Sequence, residues 1–207
     1  MMVRHSFAVF FLSLAICSCA AITKEEKNYT KNGLTISFRS INFLDNVQNI
    51  KFNYPIIVSK KNIRNHLLSL YCQDIIRPRK PRPVFSREAV EEMAPLFRTV
   101  MKKVKPRKYL HFEYQAREGI TEGQVFATKK KLYWDIFRIN GVAYSNNPLR
   151  IVKPTWKLVR APGHSYQTLY NGTLESVVKN RIIANIKMPF PRKRFQSQPK
   201  NQSSSRY

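Results

Sequence analysis

The chain has 207 residues, with 37 Lys and Arg against 12 Asp and Glu, which gives a formal net charge of +25 at pH 7. That length suits one domain with a proper core, and 43% apolar with 12% aromatic residues exclude a wholly disordered chain. So large a positive charge attracts phosphate-bearing polymers and surfaces without specifying any one of them.

The N-terminus carries an export signal. Arg4 and His5 precede the apolar run 6–16, which is too short for a membrane-spanning helix of about 20 residues and has the form of a signal peptide. Residues 16–19 read Ile-Cys-Ser-Cys, with an aliphatic residue at −3, a small residue at −1 and cysteine at +1. This motif resembles the lipobox of bacterial lipoproteins. The resemblance implies that residues 1–18 are removed and that Cys19 is acylated.

Two other ways of processing this N-terminus stay open. Cleavage after Cys19 or Ala21 by an ordinary signal peptidase would release a secreted protein. A lipobox that ends at Cys17 would place the branched Ile16 at −1, so Cys19 fits the motif better. Ala20 at +2 resembles outer-membrane sorting in a Gram-negative host, because the Asp that marks inner-membrane retention is absent there.

A tether and the first strands follow the anchor. Residues 19–32 are polar and aperiodic, which predicts a flexible tether. Residues 33–190 are predicted to form a single globular domain that begins with a strand over 33–40. Residues 50–58 form a second β-rich run, although Pro55 limits it to an edge strand or an irregular entry.

Two amphipathic helices come next. Ser59 caps the first helix, and its apolar stripe is followed by Cys72 at the helix end. Ser86 caps the second helix, whose apolar stripe runs from Val90 to Val104. The other two cysteines lie in or next to the signal, so Cys72 has no partner for an internal disulfide. The core must therefore hold together by packing.

From Lys108 the apolar period changes to two, which predicts strands up to residue 186. Asn-Gly at 140–141 and Pro-Gly at 162–163 are turn signals between these strands. The whole pattern predicts an α+β fold, an antiparallel β-sheet meander with two helices packed on one face. Residues 191–207 are rich in Ser, Gln, Asn and basic residues, which predicts a disordered basic tail.

Basic residues form four clusters that no acid interrupts, at 77–82, 102–108, 129–131 and 192–194, and the first two supply the predicted anionic-ligand contacts. The residues are Arg77, Arg79, Lys80, Arg82, Lys102, Lys103, Lys105, Arg107 and Lys108. One interpretation is a set of solvated loops and helix ends, where the second cluster would suit a helix C-terminus. The other is a field that attracts lipid headgroups, lipopolysaccharide or nucleic acid.

The histidines give no metal or catalytic signature. His111 and Glu113 are two apart on a strand and would share a face as a base and its orienting group. The alternation nevertheless favours two groups on the wet side of the sheet. His66 falls on the apolar stripe of the first helix, and His164 stands alone beside a turn. We therefore predict no metal site and no cofactor.

Two further features have structural explanations. Asp135 lies in an apolar strand and is expected to be buried in an ion pair with its neighbour Arg138. Residues 163–167 read Gly-His-Ser-Tyr-Gln and lack the last glycine of the nucleophile elbow of hydrolases. The sequence thus contains no hydrolase signature.

Several tyrosines lie in strands near the basic clusters and could stack on single-stranded nucleic acid or simply belong to a β-rich core and its rim. They are Tyr109, Tyr133, Tyr144, Tyr166 and Tyr170. The export signal makes nucleic acid the less favoured partner.

The sequence leads to one main hypothesis and two alternatives. The main one is a cell-envelope lipoprotein in the outer membrane, held by lipid on Cys19, whose non-catalytic basic domain binds anionic lipid, lipopolysaccharide or an envelope protein. The alternatives are an envelope hydrolase, which uses His111 or another acid–base pair that the sequence does not locate, and a secreted nucleic-acid-binding protein.

Overall fold

A computed structural model describes residues 28–44, 47, 50–144, 153–171 and 173–190. The predicted signal peptide, Cys19 and the predicted tail 191–207 lie outside the described residues. The strands are β1 Tyr29–Lys31, β2 Leu34–Ser40, β3 Tyr71–Asp74, β4 Arg82–Pro83, β5 Lys108–Ala116, β6 Gly119–Ala127, β7 Lys131–Ile139, β8 Val142–Ala143, β9 Trp156–Val159, β10 His164–Asn171 and β11 Leu174–Asn185. The helices are a short 3₁₀ turn Ile41–Phe43, α1 Lys60–Ser69 and α2 Arg87–Met101.

The strands form two antiparallel sheets. The main sheet has the order β1-β2-β5-β6-β7-β11-β10, with β8 added beside β7, and the small sheet has the order β4-β3-β9. Helices α1 and α2 pack against each other and cover one face of the main sheet. The predicted α+β class is confirmed.

Both helices begin where the sequence predicts. The hydroxyl oxygens of Ser59 and Ser86 each accept a hydrogen bond, at 3.1 Å, from the amide three residues later. The apolar stripes then point at the sheet, where Phe97 of α2 packs at 5.4 Å, ring centre to ring centre, from both Phe112 and Trp134. This T-shaped aromatic cluster lies at the centre of the core.

The other face of the main sheet has a smaller apolar cluster. Tyr109, Phe126, Tyr133 and Ile183 are buried there beneath a segment that includes Leu44. The segment runs on past the sheet, where the amide of Asn53 donates to the carbonyl of Ala127. Apolar side chains are therefore packed against both faces of the sheet.

Two predictions about elements are wrong, and a third had left two alternatives open. The tether does not extend to residue 32, because Tyr29–Lys31 pairs with β2 through a turn in which Asn32 and Gly33 both have positive φ. Of the two alternatives for the run 50–58, the structure has the irregular segment, which crosses from the second face of the sheet to the helices. Cys72 lies in β3 rather than at a helix end, because α1 ends at Ser69.

Candidate functional site

The first basic cluster lies on the connection between β3 and β4, here called the β3–β4 loop (residues 75–81). Cys72 pairs with Arg82 at its base. Residues 74–80 are all exposed. Among the residues that the structure describes, no ion pair involves the side chains of Arg77, Arg79 or Lys80. These cations therefore face solvent without an ion-pair partner among the described residues.

Two hydrogen bonds fix the conformation of this loop. The side-chain amide of Gln73 donates to the carbonyl oxygen of Arg79 at 2.8 Å, across the loop. The backbone amide of Ile75 donates to the carbonyl of Thr155 at 2.8 Å, which extends the pairing of β3 with β9. Prolines at 78 and 81 restrict the backbone further. The loop thus presents its side chains from a fixed backbone.

A cleft of about 470 Å³ opens against this loop. Arg77 and Arg79 line it together with Asp74, Ile76 and the residue Thr155 from the neighbouring strand connection. The cleft combines two guanidinium groups with one hydroxyl and one carboxylate. Guanidinium groups hold phosphate and carboxylate oxygens through paired hydrogen bonds, so an anionic ligand suits this lining.

The second basic cluster lies on other elements than the first. It follows the C-terminus of α2 and leads into β5 of the main sheet, whereas the β3–β4 loop belongs to the small sheet and precedes α2 in the chain. The ammonium of Lys103 lies 4.8 Å from the ring centre of Tyr29 in β1. The carbonyl of Arg107 accepts from the amide of Ile41, and Lys108 pairs with β2. The nine predicted contacts thus form two separate groups.

His111 is not on a wet surface, contrary to the sequence prediction. Only 3% of its side chain is exposed, because the strands on either side and residues near Ser40 cover it. Its Nε2 lies 3.0 Å from Oε1 of Glu122, while its Nδ1 is 3.9 Å from Glu113, too far for a hydrogen bond. Burial lowers the pKa of His111, opposed by the hydrogen bond to Glu122.

A second cleft, of about 480 Å³, lies beside His111. It is lined by Arg39, Ser40, Phe43, Tyr109, His111, Glu122, Gln124 and Phe137. In the described part of the chain, one group of three potential metal-binding side chains is found. It consists of His111, Glu113 and Glu122, each of which offers one nitrogen or oxygen atom within 4.8 Å of the others. The guanidinium of Arg138 lies 3.9 Å from Glu122, and Arg39 is at the rim. These positive charges oppose the binding of a metal cation.

Asp135 is buried, as predicted, but its partner is Arg181 rather than Arg138. The guanidinium of Arg181 binds both carboxylate oxygens of Asp135, and Gln124 donates to Oδ2 at 2.7 Å. Arg181 lies directly opposite Asp135 in β11, whereas Arg138 follows an irregularity in the β6–β7 pairing. This pairing joins positions 46 residues apart, which local sequence patterns do not reveal.

His164 is not isolated, because it contacts Ser69 of α1. The amide of Ala161 donates to Nδ1 of His164, so Nε2 carries the proton and donates to the hydroxyl of Ser69 at 3.0 Å. That hydroxyl in turn donates to the carbonyl of His66 at 2.6 Å. A histidine that donates to a serine cannot take its proton, so this pair is not an activated nucleophile.

The tyrosines do not form the exposed stacking surface that the sequence suggested. Tyr109 and Tyr133 are buried, and Tyr144 packs against Trp156 at 5.0 Å between ring centres. The hydroxyl of Tyr166 donates to a backbone carbonyl. Tyr170 alone among the five is strongly exposed, at 75%.

No family model, curated protein or solved structure matches this chain. No helix within the described ranges is long and apolar enough to span a membrane.

Proposed function

We propose that the chain is a bacterial cell-envelope lipoprotein, anchored through Cys19 in the outer membrane, whose domain binds an anionic envelope component without catalysis. The lipobox-like residues 16–19 support the anchor. The binding role is carried by one observation, the cleft on the β3–β4 loop. Arg77 and Arg79 line it without an ion-pair partner among the described residues, on a loop whose backbone is fixed by hydrogen bonds.

The charge distribution favours this loop over the second basic cluster. Residues 75–83 contain four cations and no acid. In the second cluster Lys103 packs against a tyrosine ring and Lys108 is part of a paired strand, so both already stabilise the fold. A ligand would thus add contacts at the loop without replacing existing ones.

Catalysis is the weaker alternative. The arrangement closest to an acid–base pair is His111 with Glu122, but His111 is 3% exposed and directs Nε2 at Glu122. In the Ser69–His164 pair, Nε2 of the histidine already carries a proton and the serine hydroxyl donates to a backbone carbonyl. The histidine therefore cannot take the serine proton, as nucleophilic attack would require. Binding alone accounts for the exposed cations and needs no reacting group.

The test is binding to inorganic polyphosphate at several salt concentrations. The variant Arg77→Gln/Arg79→Gln is compared with Lys102→Gln/Lys103→Gln, which removes the same charge from the second basic cluster. Because each lost phosphate contact lowers the slope of log K against log salt by about 0.7 to 0.9, we expect a drop of about 1.5 for the loop variant and little change for its control.

Two results would contradict the proposal. Equal weakening by both variants would mean that net charge alone attracts polyphosphate. Binding that neither variant changes would place the anionic site elsewhere.

A further inference from the structure

We infer that the β3–β4 loop is a phospholipid-binding wedge, in which Arg77 and Arg79 hold a headgroup phosphate while Ile75 and Ile76 enter the acyl layer. This inference rests on the proposed function, since it names the anionic component that the loop binds. It adds an apolar contact that a soluble polyanion does not need.

The apolar part of the loop is exposed. Ile76 is 74% exposed and Ile75 is 39% exposed, and the two precede Arg77 directly. Single exposed apolar residues are ordinary on protein surfaces. Two adjacent isoleucines followed by a row of cations instead resemble the composition of segments that lie at a membrane interface, with apolar groups among the lipid tails and cations at the headgroups.

The cleft supplies what a phospholipid headgroup requires. The guanidinium groups of Arg77 and Arg79 match phosphate oxygens, and Thr155 adds a hydroxyl at the same wall. Asp74 accepts hydrogen bonds, which favours headgroups that carry hydroxyl or ammonium donors. Ile76 lines the same cleft, so a bound phosphate lies next to the apolar side chain.

The loop is also ordered before it binds. The hydrogen bonds from Gln73 to Arg79 and from Ile75 to Thr155 hold its ends, so little backbone freedom is lost when it binds. An already ordered loop can place isoleucines and arginines at different depths of a lipid surface, which a flexible basic segment cannot do.

The experiment measures binding of the mature chain with Cys19→Ser, because lipid on Cys19 would mask weaker contacts. Vesicles of phosphatidylglycerol and phosphatidylcholine are compared with vesicles of phosphatidylcholine alone. The test variant is Ile75→Ser/Ile76→Ser. The matched control is Ile57→Ser, which removes an isoleucine that is 61% exposed outside the loop.

We expect binding to phosphatidylglycerol vesicles and little binding to phosphatidylcholine alone. The double variant should bind about tenfold or more weakly, since two isoleucines no longer leave water. Its residual binding should vanish in high salt, because only charges remain. The control should stay within about twofold of its parent, as expected for a side chain that stays in water.

A second readout places the loop in the bilayer. A polarity-sensitive dye attached to Ile76→Cys should shift to the blue on phosphatidylglycerol vesicles, while the same dye on Ile57→Cys should not. Cys72 is buried and stays unlabelled.

The outcomes separate the two proposals. A chain that binds polyphosphate through Arg77 and Arg79 but ignores phosphatidylglycerol vesicles overturns the lipid assignment and leaves the anion-binding function standing. A chain that binds neither probe overturns both. The wedge is also overturned if Ile75→Ser/Ile76→Ser and Ile57→Ser weaken vesicle binding equally. It is overturned as well if the dye on Ile76→Cys shows no blue shift on phosphatidylglycerol vesicles.

Discussion

Two buried imidazoles make the fold sensitive to acid. Burial lowers the pKa of His66 to about 4, against weaker opposing hydrogen bonds from backbone carbonyls. Burial also lowers the pKa of His164 to about 4, and the charge of His66 adds to that shift. An unfolded histidine titrates near 6.5, so between pH 6.5 and 4 the unfolded chain binds more protons than the folded chain. The free energy of unfolding therefore falls as the pH falls through this range.

The variant His164→Asn tests this dependence. Asparagine can still accept from the amide of Ala161 but cannot titrate. Between pH 7 and pH 5 one such histidine costs about 2 kcal/mol, so the variant should lose about that much less stability than wild type over the same interval. Urea unfolding at both pH values measures the difference. The change in the free energy of unfolding at pH 7 gives the stability that the variant loses through its missing contacts, and this amount is subtracted. Parallel losses in the two proteins would show that His164 is not a source of the acid sensitivity.

At the scale of elements, strands β6 and β7 leave no room for a side chain at Gly123. A Cβ atom there would lie 2.3 Å from the carbonyl oxygen of Asp135 and 2.8 Å from the ring of Phe112. Both neighbours belong to the packed sheet and its core, so neither can move easily. Only glycine fits at this position.

Substitution of this residue should damage the sheet. Gly123→Ala is expected to lower the free energy of unfolding by about 3 kcal/mol or more, because it overpacks a strand pair. Gly141→Ala is the control, because a Cβ atom at Gly141 would meet nothing within 4 Å, whereas the backbone φ there is +82°. Its free energy of unfolding should fall only by the backbone strain, about 1 to 2 kcal/mol. Urea denaturation at pH 7 compares them. A smaller loss for Gly123→Ala than for the control would contradict the close approach.

The sequence predicts interactions between residues that are close in the chain better than interactions between distant residues. Helix caps at Ser59 and Ser86 depend on an amide three residues away, and both are confirmed. The turn at Asn32 was an available local signal for β1, but the polar residues before it hid the strand. The cleft could not be predicted, because β9 brings Thr155 to the β3–β4 loop from about 80 positions further along the chain.

At the scale of the whole molecule, the entry point of the chain constrains how the domain can meet a membrane. Tyr29 in β1 lies beside Lys103, at the C-terminal end of α2. Cys19 is ten residues upstream, which at full extension spans at most about 35 Å. The β3–β4 loop comes before the N-terminus of α2 in the chain. A tether of that length limits how far the lipid-anchored domain proposed above can stand from the bilayer.

The anchor itself is tested by fractionation of wild type and Cys19→Ser in low and high salt, with palmitate labelling. Several acyl chains, at about 0.8 kcal/mol for each buried CH₂, should hold wild type in high salt. The unacylated variant should wash off, because its cations contribute about 1 kcal/mol each and are screened. An unlabelled wild-type protein that leaves the membrane as readily as the variant would favour plain secretion.

The buried polar residues on the second face of the main sheet also fix how the strands align. His111, Gln124, Asp135 and Arg181 lie opposite one another on four successive strands. If one strand slipped by a single residue, its polar member would turn to the helix side, among rings such as Trp134. An unpaired charge in that core would cost several kcal/mol. The row thus acts against mispaired sheets during folding, independently of any ligand.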